Sequence, residues 1–284
     1  MNRIELTKVA GTATSSVVST ARLSALVSLA IGCFTGIALA APQVRGGEAV
    51  VTDSQGSEQR ARPEANPRSL EANEQGIAAL KTGNTRTAED RFRRALEVDA
   101  GNLTAAFNLS GALVVNGKKL EAISLLSDYA KRFPKDAGFA VRLGDVLFSS
   151  EKVKEALVHY ERALSIDPHY PKLSEKLALG YALTQRIAES EKMYELAVAA
   201  EPNDGELLTN LAGVQLANNK AEAAVITARR AAQLAPSSRL YVTLGSALEG
   251  KGDLAEALLA FKKAKELGDN TAELGTKISR LEKR

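Results

Sequence analysis

From residue 69 to about residue 271 the chain repeats itself six times with a period near 34 residues. A chain that recurs at this interval stacks like units on one another instead of closing a single core. The third copy sets the pattern with Leu143-Gly144, Leu147, Ala156, Tyr160, Ala163 and Pro168. The fourth places Leu177-Ala178, Tyr181, Ser190, Tyr194, Ala197 and Pro202 in the same phases. The second has Leu109-Ser110, Ala122, Leu126, Tyr129 and Pro134, and the fifth has Leu211-Ala212, Ala224, Ala228, Ala231 and Pro236. The end copies are weaker. Gly76, Ala88, Phe92 and Ala95 mark the first and Gly245, Ala257, Phe261 and Ala264 the sixth, with Ala100 and Asp269 where proline is due.

Small residues alternate with large ones for a mechanical reason. Gly144 and Ala156 let two helices approach closely, and Tyr160 fills the space that they leave, an arrangement that a bulky group at Ala156 would overpack. Gly83, Gly117 and Gly252, with Asn219, share one phase between the two helices of their copies, where a left-handed residue ends a helix. Glu151 and Gln185 depart from that rule. Between copies Pro134, Pro168, Pro202 and Pro236 stop the second helix, and Asp136, Asp204 and Ser237 cap the next. Beyond the last copy Asn270 and Glu273 suggest a capping box, and Leu274, Ile278 and Leu281 form one face of a final helix over 272–284.

This pattern resembles the tetratricopeptide repeat family over about 200 of the 284 residues. The resemblance implies an all-α solenoid, a right-handed superhelix of helix pairs at 69–102, 103–136, 137–170, 171–204, 205–237 and 238–271. It also implies a concave groove that binds peptides or partner proteins, lined largely by the first helix of each pair. By the same analogy the position two before each small residue faces that groove, and there stand Glu74, Asn108, Arg142, Lys176, Asn210 and Thr243. Asn108 and Asn210 suit the backbone of an extended peptide, and Arg142 and Lys176 suit a carboxylate. A solvated helix face explains a polar column equally well. One residue earlier the column runs through Phe107 and Val141, and Phe148, Leu179, Leu183 and Leu216 add apolar area one turn on. These are groove floor or contacts between repeats. The two-carboxylate clamp of heat-shock cochaperones is not expected, because Ile77 and Gly111 occupy polar phases of that clamp.

The N-terminus reads as an address. Residues 23–41 are uncharged and mostly apolar and follow a segment holding Arg3, Lys8 and Arg22. That is the order of a secretory signal, with small residues at Ala38 and Ala40 before a cut after Ala40. An uncleaved anchor and lipidation at Cys33 are the other two readings, and all three export the rest of the chain to the periplasm or the envelope. In each the membrane is met only through residues 1–40. Residues 41–68 mix Gly, Pro, Ser and charge without apolar period and read as a flexible linker. Among exported chains of this build, the resemblance extends to tetratricopeptide lipoproteins of Flp and type IV pilus assembly. An adaptor for secretion or polysaccharide export is the alternative.

Composition excludes other classes. With residues 1–40 set aside, 34 basic residues face 33 acidic ones in no blocks, so no basic stripe marks a nucleic-acid binder. Cys33 is the only cysteine, which rules out an internal disulfide and a thiolate metal site. His159 and His169 lack ligand partners at metal spacing, and no phosphate loop or nucleophile elbow occurs. The expectation is a protein-binding scaffold without catalytic residue, metal or cofactor.

Overall fold

The computed structural model describes residues 66–283. The expected signal or anchor, Cys33 and most of the linker therefore lie outside the described residues. Thirteen α-helices and no strand occupy the described part: α1 (Pro67–Lys81), α2 (Thr85–Val98), α3 (Leu103–Val115), α4 (Lys119–Arg132), α5 (Ala137–Phe148), α6 (Val153–Ile166), α7 (Leu173–Leu183), α8 (Ile187–Ala200), α9 (Gly205–Ala217), α10 (Ala221–Leu234), α11 (Ser238–Lys251), α12 (Leu254–Glu266) and α13 (Ala272–Glu282). The first two residues of the first helix fall within the expected linker. Pro67 sits at its first position, where a missing N–H costs nothing, and Asn66 Oδ1 accepts from the Arg68 N–H.

Two compact units divide these helices, one ending at Thr184 and the other starting at Gln185. In the first, each of α1–α6 packs on the next, and the odd-numbered helices also meet, α1 with α3 and α3 with α5. In the second, α8–α13 pack in the same serial way, with α9 also meeting α11. Each unit is thus a stack of helix pairs with the first helices of successive pairs side by side.

The size alternation holds the pairs together. A Cβ added at Gly76 would lie 2.5 Å from the Phe92 ring, and one at Gly245 would lie 2.6 Å from Phe261. Gly144 meets Tyr160 in the same way. Ala88, Ala122, Ala156, Ala224 and Ala257 are all completely buried. Burying a ring such as Phe92 or Tyr160 is worth about 1.5–3 kcal/mol, and the glycine opposite leaves room for it.

Capping follows the sequence with one exception. Asp136 accepts from the Gly138 N–H, Asp204 from those of Glu206 and Leu207, and Ser237 from that of Leu240. At α13, however, Thr271 and not Asn270 is the cap: its Oγ1 accepts from the Leu274 N–H at 3.4 Å. Asn270 instead turns toward the Gly268 carbonyl. The turns inside the pairs are uniform whatever residue they hold. Glu151 and Gln185 take φ of 62° and 64°, beside 76° at Gly83 and 79° at Gly117. The close of each first helix dictates that geometry, so three non-glycine residues, Glu151, Gln185 and Asn219, are held in the left-handed region.

Candidate functional site

The polar column lies on the first helices, and in the first unit the structure brings four of its neighbours together. On α3, Asn108 Nδ2 donates to Asn73 Oδ1 of α1 at 3.0 Å. On α5, the Arg142 guanidinium lies 5.1 Å from the centre of the Phe107 ring, and its Nε reaches Ser110 Oγ at 3.4 Å. Gly111 makes that approach possible, since a Cβ there would stand 2.7 Å from an Arg142 Nη. On α7, Lys176 Nζ lies 2.7 Å from Asp145 Oδ1. The same oxygen accepts from the Tyr160 hydroxyl at 2.8 Å.

These contacts give the two cations different states. Lys176 is neutralised by Asp145, whereas Arg142 forms no ion pair. Burial presses the Arg142 pKa below its ordinary value, and the Asp145 and Tyr170 charges work against that. Burial, the Asp145 charge and its hydrogen bond push the Tyr160 hydroxyl far up, so it stays a donor. Tyr170, in the loop before α7, is also raised by burial and by the Asp145 and Asp136 charges. The result is a half-buried guanidinium stacked on an aromatic face, with most of its five donors unused.

The apolar residues divide. Val141, Phe148 and Leu179 are buried within the first unit and serve packing. Phe107 is half-buried, packs edge-on against Phe139 at 6.2 Å, and offers its other face to Arg142. In the second unit Asn210 is buried on α9 and its Oδ1 accepts from Arg239 Nη1 of α11 at 2.8 Å. That side chain therefore has a partner inside the fold. Leu183 and Leu216 are half-buried on α7 and α9. The signature residues Gly144, Ala156, Tyr160 and Ala163 are buried, and Pro168 follows α6 at the surface.

Sequence reasoning missed a second polar system. Glu89 is buried on α2, where Asn116 Nδ2 and Lys118 Nζ from the turn after α3 donate to it at 2.7 and 2.8 Å. In the second unit Glu191 on α8 receives Asn218 Nδ2 at 2.5 Å and Lys220 Nζ at 2.9 Å. A glutamate followed after 27 and 29 residues by Asn and Lys in both places was the available signal. These triads join successive pairs.

Neither histidine enters the cluster of Arg142, Asp145 and Lys176. The half-buried His159 on α6 leaves Nδ1 without a hydrogen-bond partner, and burial, aided by the Arg162 charge, lowers its pKa. His169 donates its backbone N–H to Asp167. Among the described residues no group of three or more His, Cys, Asp or Glu is placed to hold a metal, and no helix is long and apolar enough to cross a membrane.

Serial helix pairs with small-for-large nesting define a helical repeat scaffold, a class whose members work by binding other proteins. Tetratricopeptide repeat family models match residues 73–137 and 176–239, a further TPR repeat model matches 144–185, and another matches 238–267. The chain belongs to the tetratricopeptide repeat family. Its fold is similar to that of YrrB, described as a TPR protein with an unusual peptide-binding site, at TM-score 0.62 and 17% identity, covering 66% of this chain and 97% of that one. It is also similar to PilF of Pseudomonas aeruginosa, at TM-score 0.59 and 17% identity over 76% of this chain and 97% of that one. MamA of Desulfovibrio magneticus RS-1 matches at TM-score 0.54 and 20% identity, over 58% of this chain and 96% of that one. Among curated proteins, the protein O-mannosyl-transferase Tmtc3 of Drosophila melanogaster is 26% identical over 128 residues. That stretch is 45% of this chain but only 14% of the fly protein.

Proposed function

We propose that this protein is a non-enzymatic scaffold of the bacterial cell envelope that holds an extended peptide or a partner protein against its first helices, centred on Arg142 and Lys176. Arg142 carries the reading: it is the one cation of the polar column in the first unit without a carboxylate partner, and it is fixed on the Phe107 ring. A guanidinium held in place with donors to spare loses little freedom when a carboxylate arrives. Asn108, already tied to Asn73 through Nδ2, keeps its carbonyl oxygen for a peptide N–H.

The envelope location rests on the N-terminal order of Arg3, Lys8 and Arg22 followed by the uncharged run 23–41 and the small pair Ala38 and Ala40. Intact mass of the mature chain tests it by separating an N-terminus at Ala41 from a lipidated Cys33 and from an uncut anchor. For the groove the test is Arg142→Glu with Lys176→Glu. The variant should keep its helical circular dichroism and lose partner capture from an envelope extract, and unchanged capture would defeat the reading.

A further inference from the structure

The groove cluster holds three charges on two helices. Arg142 and Asp145 stand one turn apart on α5, and Lys176 reaches across from α7. Asp145 is spoken for. Its Oδ1 accepts from Lys176 Nζ at 2.7 Å and from the Tyr160 hydroxyl at 2.8 Å, and Tyr160 is locked in the core against Gly144. Because the tyrosine is fixed, the carboxylate is fixed, and with it the lysine. Arg142 remains, turned back toward α3 onto Phe107 and Ser110. The three charges sum to one positive charge, and the guanidinium carries it.

We propose that Asp145 sets the ligand specificity of this site: by neutralising Lys176 it leaves the groove fit for a single carboxylate on Arg142 and unfit for a pair. This rests on the peptide-groove reading above. Two carboxylates brought to the cluster would place three acidic groups against two basic ones, with Asp145 only a helical turn from the ligand. The extra like charge, in partly buried surroundings, opposes binding. Removing the Asp145 charge while keeping an acceptor for Tyr160 frees Lys176 for a second acidic group. The carboxylate chemistry is common to an acidic side chain and a chain terminus, and end-blocking tells them apart.

The experiment is a selection of the full chain against a random peptide library with free C-termini, run with wild type, Asp145→Asn and Lys176→Gln. Circular dichroism serves as the check on folding. Wild type should enrich peptides with one carboxylate at a fixed place. Asp145→Asn should shift the enriched set to paired carboxylates, with affinity for a diacidic peptide rising about tenfold. Lys176→Gln leaves Asp145 facing Arg142, and the acidic preference should disappear with helicity intact. Repeating the wild-type selection on amidated peptides assigns the carboxylate to a terminus if enrichment is lost, or to a side chain if it persists. Identical peptide sets from wild type and Asp145→Asn, or a wild-type preference for diacidic peptides, overturn the specificity role alone. No enrichment by wild type beyond that of Arg142→Glu with Lys176→Glu overturns the groove reading and this inference with it.

Discussion

Lys118 Nζ and Glu89 Oε1 lie 2.8 Å apart across successive helix pairs, and Lys220 repeats that contact with Glu191 in the second unit at 2.9 Å. Each glutamate side chain is only 5% exposed, while its lysine is about half exposed. Asn116 completes the first system: its Oδ1 accepts from the Thr85 hydroxyl and its Nδ2 donates to Glu89 and to the Thr85 carbonyl. At the next junction Ile123 and Ser150 stand in the same phases, so that junction has no carboxylate to receive an amide, and the Ser150 hydroxyl donates to the Val146 carbonyl of α5.

Glu89→Ala should therefore destabilise the first unit by about 1–3 kcal/mol, because it removes the buried acceptor that the Asn116 amide and Lys118 share. The paired change Glu89→Ile with Asn116→Ser copies the neighbouring junction and should restore most of the loss, since well-packed apolar residues replace buried polar networks at little cost. Urea titration of the two variants checks both values. A double variant no better than the single one would show that the network is more than local pairing.

Glu89 also carries a pH dependence. Burial works to raise its pKa, but the hydrogen bonds from Lys118 and Asn116 and the charges of Arg93 and Lys118 outweigh it and hold the carboxyl below its ordinary value. A group whose pKa is lower in the folded chain adds stability that is complete above the unfolded value, about 4.3, and vanishes as pH falls through the folded one. The stability gap between wild type and Glu89→Gln should hold steady near neutrality and narrow below about pH 4. Paired denaturation curves over that range measure it. A gap that widens in acid would reverse the sign.

Two glycines in first-helix positions should respond oppositely to alanine. Gly144→Ala drives a methyl into the Tyr160 ring and should cost about 1–3 kcal/mol through overpacking. Gly275, inside α13, has nothing within 4 Å of an added Cβ. Gly275→Ala should stabilise α13 by about 0.5–1 kcal/mol, the usual cost of glycine in a helix. Thermal melts of both variants decide it. A stabilising Gly144→Ala would mean that the rings do not fill the space as the structure places them.

The parts legible in the sequence are those set by size and turn chemistry. Gly144 with Tyr160, Gly245 with Phe261, the caps Asp136, Asp204 and Ser237, and the face of Leu274, Ile278 and Leu281 follow from residue type and spacing alone. Pairing between polar side chains of different repeats does not. Nothing in the spacing said that Asp145 would hold Lys176 and leave Arg142 without an ion pair, because that choice depends on where Tyr160 pins the carboxylate. Asn108 and Asn210 read as hands for a ligand, yet each is bonded within the fold, to Asn73 and to Arg239. The polar column thus owes part of its character to stitching one first helix to the next.

The turn inside the third pair supplies a last prediction. Glu151 has φ of 62° at the place that Gly83, Gly117 and Gly252 hold elsewhere. Its backbone N–H still donates to the Phe148 carbonyl at 3.0 Å, so the geometry is imposed by the closing turn of α5 and not by the side chain. A residue with a Cβ pays about 1–2 kcal/mol for that region, and glycine pays little of it. Glu151 is exposed, so its side chain contributes little packing to offset the strain. Glu151→Gly should raise stability by about 0.5–1 kcal/mol once the greater freedom of glycine in the unfolded chain is set against the relief. Glu151→Val should lower it by at least as much, because a branched side chain fits that region worst. Both variants keep the charge cluster at Arg142, Asp145 and Lys176, so urea midpoints should move in opposite directions while peptide selection stays unchanged.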